Sequence, residues 1–444
     1  MEHPSSAPES LEKRALGCRV AGWMNRRSTW EITAGLFLFA LALRVAVAFL
    51  RGLNTVPPEG DELGYYQLAQ RIIHGLGYSR LWPDGTLRPF AGQMPGTSVF
   101  IALGLRALGE HPSSDYLMAA FISSFSAPLI YLYTRRIASQ SAAVIAAVAC
   151  ALYPTWLFYS TSSLSEPYFV PLLLLAMLAS AWAFSSSSSA AALLAGLAWG
   201  AATLVRPHGL PMAALIACYF AWRSRWRDAA LVVLGVSLFV GPWLVRNQRA
   251  LGAPVLATET GETFLGSNNP YVLADPGLHG MWLSTWAIPP YRAMIEFNYN
   301  ELERSKLQNK VAWAYLRQNP RVIPLLAIYK VRRWLTPVTH VGGAIRLAVL
   351  ASYGPLLVLL LIGWLRRSYH RSIELELALM WSFVMTVITI VYWGNLTRGR
   401  IPLEMVWLPW GAIAAVELLE YCASRRRIRK YEFGKIQLAD RKIA

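Results

Sequence analysis

Gly60-Asp61-Glu62-Leu63-Gly64-Tyr65-Tyr66 places two adjacent carboxylates just beyond the first long apolar run of a chain in which acids are scarce. Downstream of them, Tyr65, Leu68, Ala69, Ile72, Ile73 and Leu76 recur at i, i+3, i+4, i+7, i+8 and i+11, one apolar stripe on a helix that Gly75 and Gly77 bring to an end. Asp61 therefore stands at the N-terminus of an amphipathic helix suited to lie along a membrane surface. Two readings of this acid stay open. Asp is among the best N-caps and suits the positive end of a helix dipole; it is equally a carboxylate available for chemistry.

Working outward, the 444 residues are 55% hydrophobic and 15% charged, where a soluble domain carries about a quarter charged residues. Apolar runs long enough to cross a bilayer recur from end to end, so the fold class is an all-α polytopic membrane protein. The formal charge of +17 is spread over short loops between apolar runs, which is a topology signal and an attraction to anionic lipid headgroups; no nucleic-acid partner is expected. Cys18, Cys150, Cys218 and Cys422 have neither metal-ligand spacing nor a disulfide framework, and read as packing residues.

Lys13, Arg14, Arg19, Arg26 and Arg27 precede the first span. Residues 1–30 are therefore a cytoplasmic tail, with no cleaved signal peptide. The first span, 31–50, leads to an external loop at 51–114. The segment 99–108 is too short to cross and reads as a second surface-lying or re-entrant helix. Spans follow at 116–133, 141–159, 166–184, 190–205, 209–222 and 229–245; five serines at 185–189 mark a turn. With 99–108 left outside the count, Arg135, Arg136, Arg223, Arg225 and Arg227 all fall on the cytoplasmic side. The transmembrane module is thus 31–246. Residues 247–344 form an external loop whose 322–335 segment is an interfacial helix, with Arg332 and Arg333 meeting headgroups. Spans at 345–365, 375–393 and 401–421 complete the C-terminal module, 345–422, and 423–444 is a basic cytoplasmic tail. That makes about ten transmembrane helices, with both termini cytoplasmic.

On this topology several ionisable groups converge on the outer face: Asp61, Glu62, Glu166, Arg206, His208, Arg246, Arg398 and Arg400. A few acids facing several arginines suit sugar transfer from a polyprenyl-phosphate donor. A carboxylate takes the acceptor's proton, and guanidinium forks hold the departing phosphate. The donor bond supplies the energy, and no nucleotide-binding loop is present. Each residue also has a plainer role. Glu166 suits a helix start, Arg206 and Arg246 suit helix C-termini, and His208 suits a polar turn. Trp282, Trp286 and Tyr291 are interface anchors or platforms for sugar rings. Asn395-Leu396-Thr397 matches a glycosylation sequon.

Gly60-Asp61-Glu62 with Tyr65-Tyr66, followed by Gly75-Leu76-Gly77-Tyr78, resembles the first external loop of the dolichyl-phosphate-mannose protein mannosyltransferase-like family, with its bacterial aminoarabinose-transferase relatives of the GT-C fold. Arg206-Pro207, Gly241-Pro242-Trp243-Leu244-Val245-Arg246-Asn247, Leu265-Gly266-Ser267-Asn268-Asn269-Pro270 and Arg398-Gly399-Arg400-Ile401-Pro402-Leu403 are similar to later family motifs, in order, from about Ala34 to Tyr421. Gln93-Met94-Pro95-Gly96-Thr97 departs from the family's pattern, and no large soluble domain follows the tenth span.

The resemblance implies a GT-C glycosyltransferase with external juxtamembrane helices and Asp61 as catalytic base, with Glu62 and Glu166 beside it. Arg206, Arg246, Arg398 and Arg400 would then meet the donor phosphate, and Tyr65, Tyr66, His208, Asn268 and Asn269 the substrates. The acceptor is a lipid, a polysaccharide or a protein. The family includes metal-dependent and metal-independent members; no ligand cluster for a divalent metal is visible in this sequence, so no metal or other cofactor is expected. The expected location is a bacterial inner membrane with the active site external. The rival readings are a flippase for lipid-linked sugars and a non-catalytic subunit that presents the lipid carrier.

Overall fold

The computed structural model describes residues 28–50, 60–82, 84–186, 188–296, 300–337, 343–392, 394 and 397–443. The N-terminal tail with Cys18, most of the segment between the first span and Asp61, and Asn395-Leu396 of the sequon lie outside the described residues.

Helix α1 (Thr29–Leu50) is followed by α2 (Asp61–Ile73) and a two-stranded antiparallel hairpin, β1 (Ser79–Leu81) with β2 (Leu87–Pro89). Next come α3 (Pro95–Leu108), α4 (Pro112–Ser124), α5 (Ser126–Thr134), α6 (Gln140–Leu152) and α7 (Pro154–Tyr159). The membrane module continues through α8 (Glu166–Ser185), α9 (Ser189–Val205), α10 (Gly209–Trp222) and α11 (Trp226–Leu251). The long loop then carries α12 (Thr260–Ser267), three short 3-10 turns, α13 (Pro289–Glu296) and α14 (Glu301–Gln318). The chain ends with α15 (Val322–Leu335), α16 (Gly343–Leu365), α17 (Ile373–Val391) and α18 (Ile401–Ile443).

Prolines sit at the first turns of α3, α4, α7 and α8, where the missing N–H is no loss. Tyr153, pushed into extended backbone by Pro154, divides the expected 141–159 span into α6 and α7. Among the described residues, seven helices are long and apolar enough to cross a membrane: α1, α4–α5 taken together, α8, α11, α16, α17 and the first part of α18. Three further segments expected to cross correspond to α6, α9 and α10, of 13, 17 and 14 residues, each shorter than the roughly 20 a straight crossing needs.

Helix α8 is the axis of the bundle: apolar on every side, it is buried along most of its length among α4, α5, α9, α17 and α18, as an all-round apolar helix must be. Helices α9 and α11 approach most closely. A Cβ at Gly196 would collide with Val232 O, and one at Gly235 would meet Leu197 N at 2.6 Å. Small residues bring the two backbones together there. Arg44 in α1 and Glu404 in α18, ionisable groups within spans, are both buried. Arg44 lies over the Trp156 ring and Glu404 pairs with Arg400. Cys150 is buried as expected, whereas Cys218 and Cys422 are on the surface.

Helix α15 does not simply float at an interface. Its Lys330 is buried and donates to Asn268 Oδ1 (2.8 Å) and to the carbonyls of Ile390 and Val391, tying the long loop to the end of α17. Arg333, expected among headgroups, is also buried and donates to Gly277 O at 3.1 Å.

Candidate active site

Helix α2 begins at Asp61, preceded by Gly60 with φ of +56°, a left-handed conformation that favours glycine. Gly60 occupies the cap position, and no side chain caps the helix. Asp61 thus lies one residue inside the helix, and its Oδ2 accepts a bond of 2.7 Å from Arg398 Nη1. The same guanidinium donates through Nε to Glu166 Oε1 at 2.6 Å. Glu166, fully buried at the first turn of α8, also pairs with Arg206 at 3.1 Å. Arg206 ends α9 in extended backbone, with its guanidinium above the Phe169 ring. Four charged groups from four remote segments are therefore linked in one chain: Asp61, Arg398, Glu166, Arg206. Each guanidinium carries five N–H donors, so both arginines keep donors for a further anion.

Two cavities meet at this chain. The larger, about 730 Å³, is walled by apolar side chains including Val205, Leu256, Trp334, Met385 and Ile388, with Tyr65, His208, Arg206 and Arg398 along it. The smaller, about 380 Å³, is polar, lined by Asp61, Arg80, Glu259, Glu262, Glu301 and Arg304 with Trp282 and Trp286. Gly92, Glu259, Thr263 and Arg398 line both. At Gly92 a Cβ would collide with the Phe90 ring and meet Glu259 Oε1 at 2.9 Å, so a side chain there would displace both.

Other residues expected at the site fall elsewhere. Arg246 turns back on the protein: it donates to Phe90 O (2.7 Å), Asn247 Oδ1 (2.8 Å) and Tyr78 O, and lines neither cavity. Arg400 is buried against Glu404, donates to Trp334 O and Thr336 O at 2.8 Å, and lies over the Tyr353 ring. Both guanidiniums hold backbone in place and are not presented to a phosphate. Glu62 and Tyr66 line neither cavity; Tyr66 is buried in the bundle core with Ile101 and Leu105. Asn268 is held by Lys330, and Asn269 caps a 3-10 turn through Tyr271 N. Tyr291 packs edge-on against Tyr271. Tyr65 and His208 do line the larger cavity, and His208 Nδ1 is buried without a hydrogen-bond partner.

Residues that the sequence did not single out supply most of the polar cavity. Glu262 is fixed by Thr285 N (2.8 Å) and Gln308 Nε2 (2.6 Å). Glu301, at the start of α14, accepts from Ala91 N at 2.8 Å while its Oε2 is buried without a partner. Burial pushes the Glu301 carboxyl upward and the Arg304 guanidinium downward. Burial, with Asp61 adding to it, pushes the Glu259 carboxyl from 4.5 to about 7. Tyr65 is pushed up to about 12 by burial, with the Arg398 charge opposing. Among the described residues no three His, Cys, Asp or Glu side chains are grouped so as to hold a metal ion.

Residues 89–245 match the family model for dolichyl-phosphate-mannose-protein mannosyltransferases, a stretch that holds Glu166 and Arg206 but neither Asp61 nor Arg398. Among solved structures, the chain is similar to the archaeal oligosaccharyltransferase AglB from Archaeoglobus fulgidus in complex with an inhibitory peptide and a dolichol-phosphate. The TM-score is 0.57 at 16% identity, over 92% of this chain and 52% of that one. The apo form of the Archaeoglobus fulgidus oligosaccharyltransferase gives 0.56 at 17%, over 92% and 52%. ArnT from Cupriavidus metallidurans bound to undecaprenyl phosphate gives 0.41 at 14%, over 89% and 78%. The chain spans about half the length of the oligosaccharyltransferases it matches. No curated protein sequence matches it significantly.

Proposed function

We propose that this chain, a polytopic membrane protein whose fold is that of the GT-C glycosyltransferases, moves a sugar from a polyprenyl-phosphate donor to an acceptor on the external face of the membrane. The observation that carries the reading is the junction of an apolar cavity with an acid-lined polar one at Asp61, Arg398, Glu166 and Arg206. The apolar cavity suits an isoprenoid tail, and the two arginines stand where its phosphate would lie. The polar cavity suits the acceptor. A neighbour of the same fold is known in complex with a dolichol-phosphate.

In the proposed step the acceptor oxygen bonds to the anomeric carbon as its proton passes to Asp61. The bond from that carbon to the phosphate oxygen breaks, and its electron pair leaves on the polyprenyl phosphate. Arg206 and Arg398 meet the charge the phosphate gains. A single displacement of this kind inverts the anomeric centre. In this reading the guanidinium groups supply the compensating charge. A donor phosphate also competes with Asp61 for Arg398, which couples donor binding to release of the base.

The external placement rests on charge. The ends of the same helices remote from Asp61 carry Arg136, Arg225 and Arg371, paired there with Glu374, Asp228 and Glu376, and basic loops mark the cytoplasmic side. A bacterial inner membrane with cytoplasmic termini is the matching location.

The test is purified protein in liposomes supplied with a labelled polyprenyl-phosphate sugar and a cell-envelope extract as acceptor. Wild type should transfer label, and Asp61→Asn should lose at least about 100-fold in kcat while still binding donor. Translocation of label without transfer, or near-normal turnover in Asp61→Asn, would rule out the proposed mechanism.

A further inference from the structure

We propose that Glu259 is a second carboxyl of the transfer site, facing Asp61 across the junction of the two cavities and sharing with it the proton that the acceptor gives up. This rests on the transferase reading above and goes beyond it by moving the end point of the proton from one residue to a pair.

Position is the first support. Glu259 heads α12, and its segment is laid beside the start of α3 by two backbone bonds, Thr258 N to Ala91 O (2.8 Å) and Glu259 N to Gly92 O (3.4 Å). Of the four residues that line both cavities, only Glu259 and Arg398 ionise. A donor sugar in transit between the cavities therefore passes between a guanidinium and a carboxyl.

Availability is the second support. The other acids of the polar cavity each hold a partner: Asp61 has Arg398, Glu262 has Thr285 and Gln308, and Glu301 has Ala91 N through one of its two oxygens. The Glu259 carboxyl accepts no hydrogen bond and joins no ion pair among the described residues. Glu301 Oε2 is open as well, but Glu301 lines the polar cavity alone, whereas Glu259 is an acid with open lone pairs where the two cavities join.

Electrostatics agrees with both. The groups facing Glu259 are Asp61 and Tyr65 on α2, Tyr78 and Arg80 at the hairpin, Glu262 on its own helix, Glu301 and Arg304 on α14, and Arg398. Burial, then the Asp61 charge, brings its carboxyl to about 7 against the pull of Arg80. A base works best when its pKa lies near the working pH. Two carboxyls that repel one another take up a first proton more readily than either would alone, and that proton belongs to the pair. In the step, the acceptor O–H proton goes to the pair and later to water, the new bond forms at the anomeric carbon, and the electron pair of the broken bond leaves on the lipid phosphate.

Two measurements on the full-length protein test this. Carboxyl difference infrared spectra between pH 5 and 9 need no turnover. Wild type should show a carboxyl titrating near pH 7 that Glu259→Gln abolishes and Asp61→Asn moves to lower pH, since that change removes a repelling charge. In the transfer assay, Glu259→Gln should lower kcat about 100-fold with donor KM little changed. Glu259→Asp should recover part of that loss with a shifted acid limb in its pH–rate profile, which a purely structural role would not produce. Transfer in wild type with an unaltered profile in Glu259→Gln overturns the pair alone, as does the lack of any component titrating near neutrality that Glu259→Gln removes. A coupled titration in a wild type that transfers no sugar overturns the transferase reading instead.

Discussion

Arg398 joins parts of the chain that are 337 and 232 residues away, donating to Asp61 and Glu166 at once. A lysine has one nitrogen and no fork, so it cannot span two carboxylates in this way. Arg246 and Arg400 show the other use of the same side chain. Their N–H groups are aimed at backbone carbonyls, and nothing in the one-dimensional pattern distinguishes an arginine that turns inward from one that faces a cavity. Glu259 carries a stability consequence as well as a chemical one. Its folded pKa, about 7, is above the unfolded 4.5, so the fold favours the protonated form. The stability that this contributes is complete below about pH 4.5 and is lost as pH rises through 7. Wild type should therefore lose thermal stability between pH 5 and pH 8, and Glu259→Gln, which cannot ionise, should flatten that decline. Parallel Tm–pH slopes for the two proteins would show that Glu259 does not titrate in this range.

At the scale of elements, α2 and the start of α8 were legible because periodicity and proline placement fix where a helix begins. Parity of spans then put Asp61, Glu166, Arg206 and Arg398 at one end of the bundle, and the structure brings these four into contact. The loop from 252 to 320 was not legible in the same way. It lacks apolar runs, and the signals that do mark α14 are local: Asn300 caps it by accepting from Leu302 N at 3.0 Å, with Glu301 and Glu303 in its first turn. A search for caps in that stretch would have found the helix that carries Glu301 and Arg304, though not the side of it that faces a cavity. Close helix approach gives a further prediction. At Gly196 in α9 an added Cβ strikes the backbone of α11, whereas at Gly35 in α1 it meets nothing within 4 Å. Gly196→Ala should destabilise by about 1–3 kcal/mol as an overpacked contact. Gly35→Ala should be neutral or stabilising by up to about 1 kcal/mol through helix propensity. Thermal unfolding in detergent checks both, and equal Tm values for the two variants would show that the α9–α11 contact gives way freely.

Across the whole molecule the charges are sorted by end. Arg136–Glu374, Arg225–Asp228 and the Tyr219–Glu376–Arg371 group close one end of the helices, while the four linked groups and the polar cavity occupy the other. Between them the larger cavity runs beside α9, α10 and α17, with α15 covering it through Trp334. Lys330 holds α15 to α17 and to the long loop, so the lid over the apolar cavity and the loop bearing Glu259 are fastened to one point. If this cavity receives the isoprenoid tail, its width should matter in proportion to the length of that tail. Ile388 lies on its wall, on α17, and Ile388→Trp would fill space there without removing a polar side chain. The variant should raise KM for a long-chain donor by at least about 10-fold, equal to the loss of about 1.4 kcal/mol of binding, and the penalty should shrink steadily as the prenyl chain is shortened. A penalty independent of chain length would mean that the tail lies elsewhere, against the exposed apolar faces of α11 or α16, and that the cavity serves another molecule.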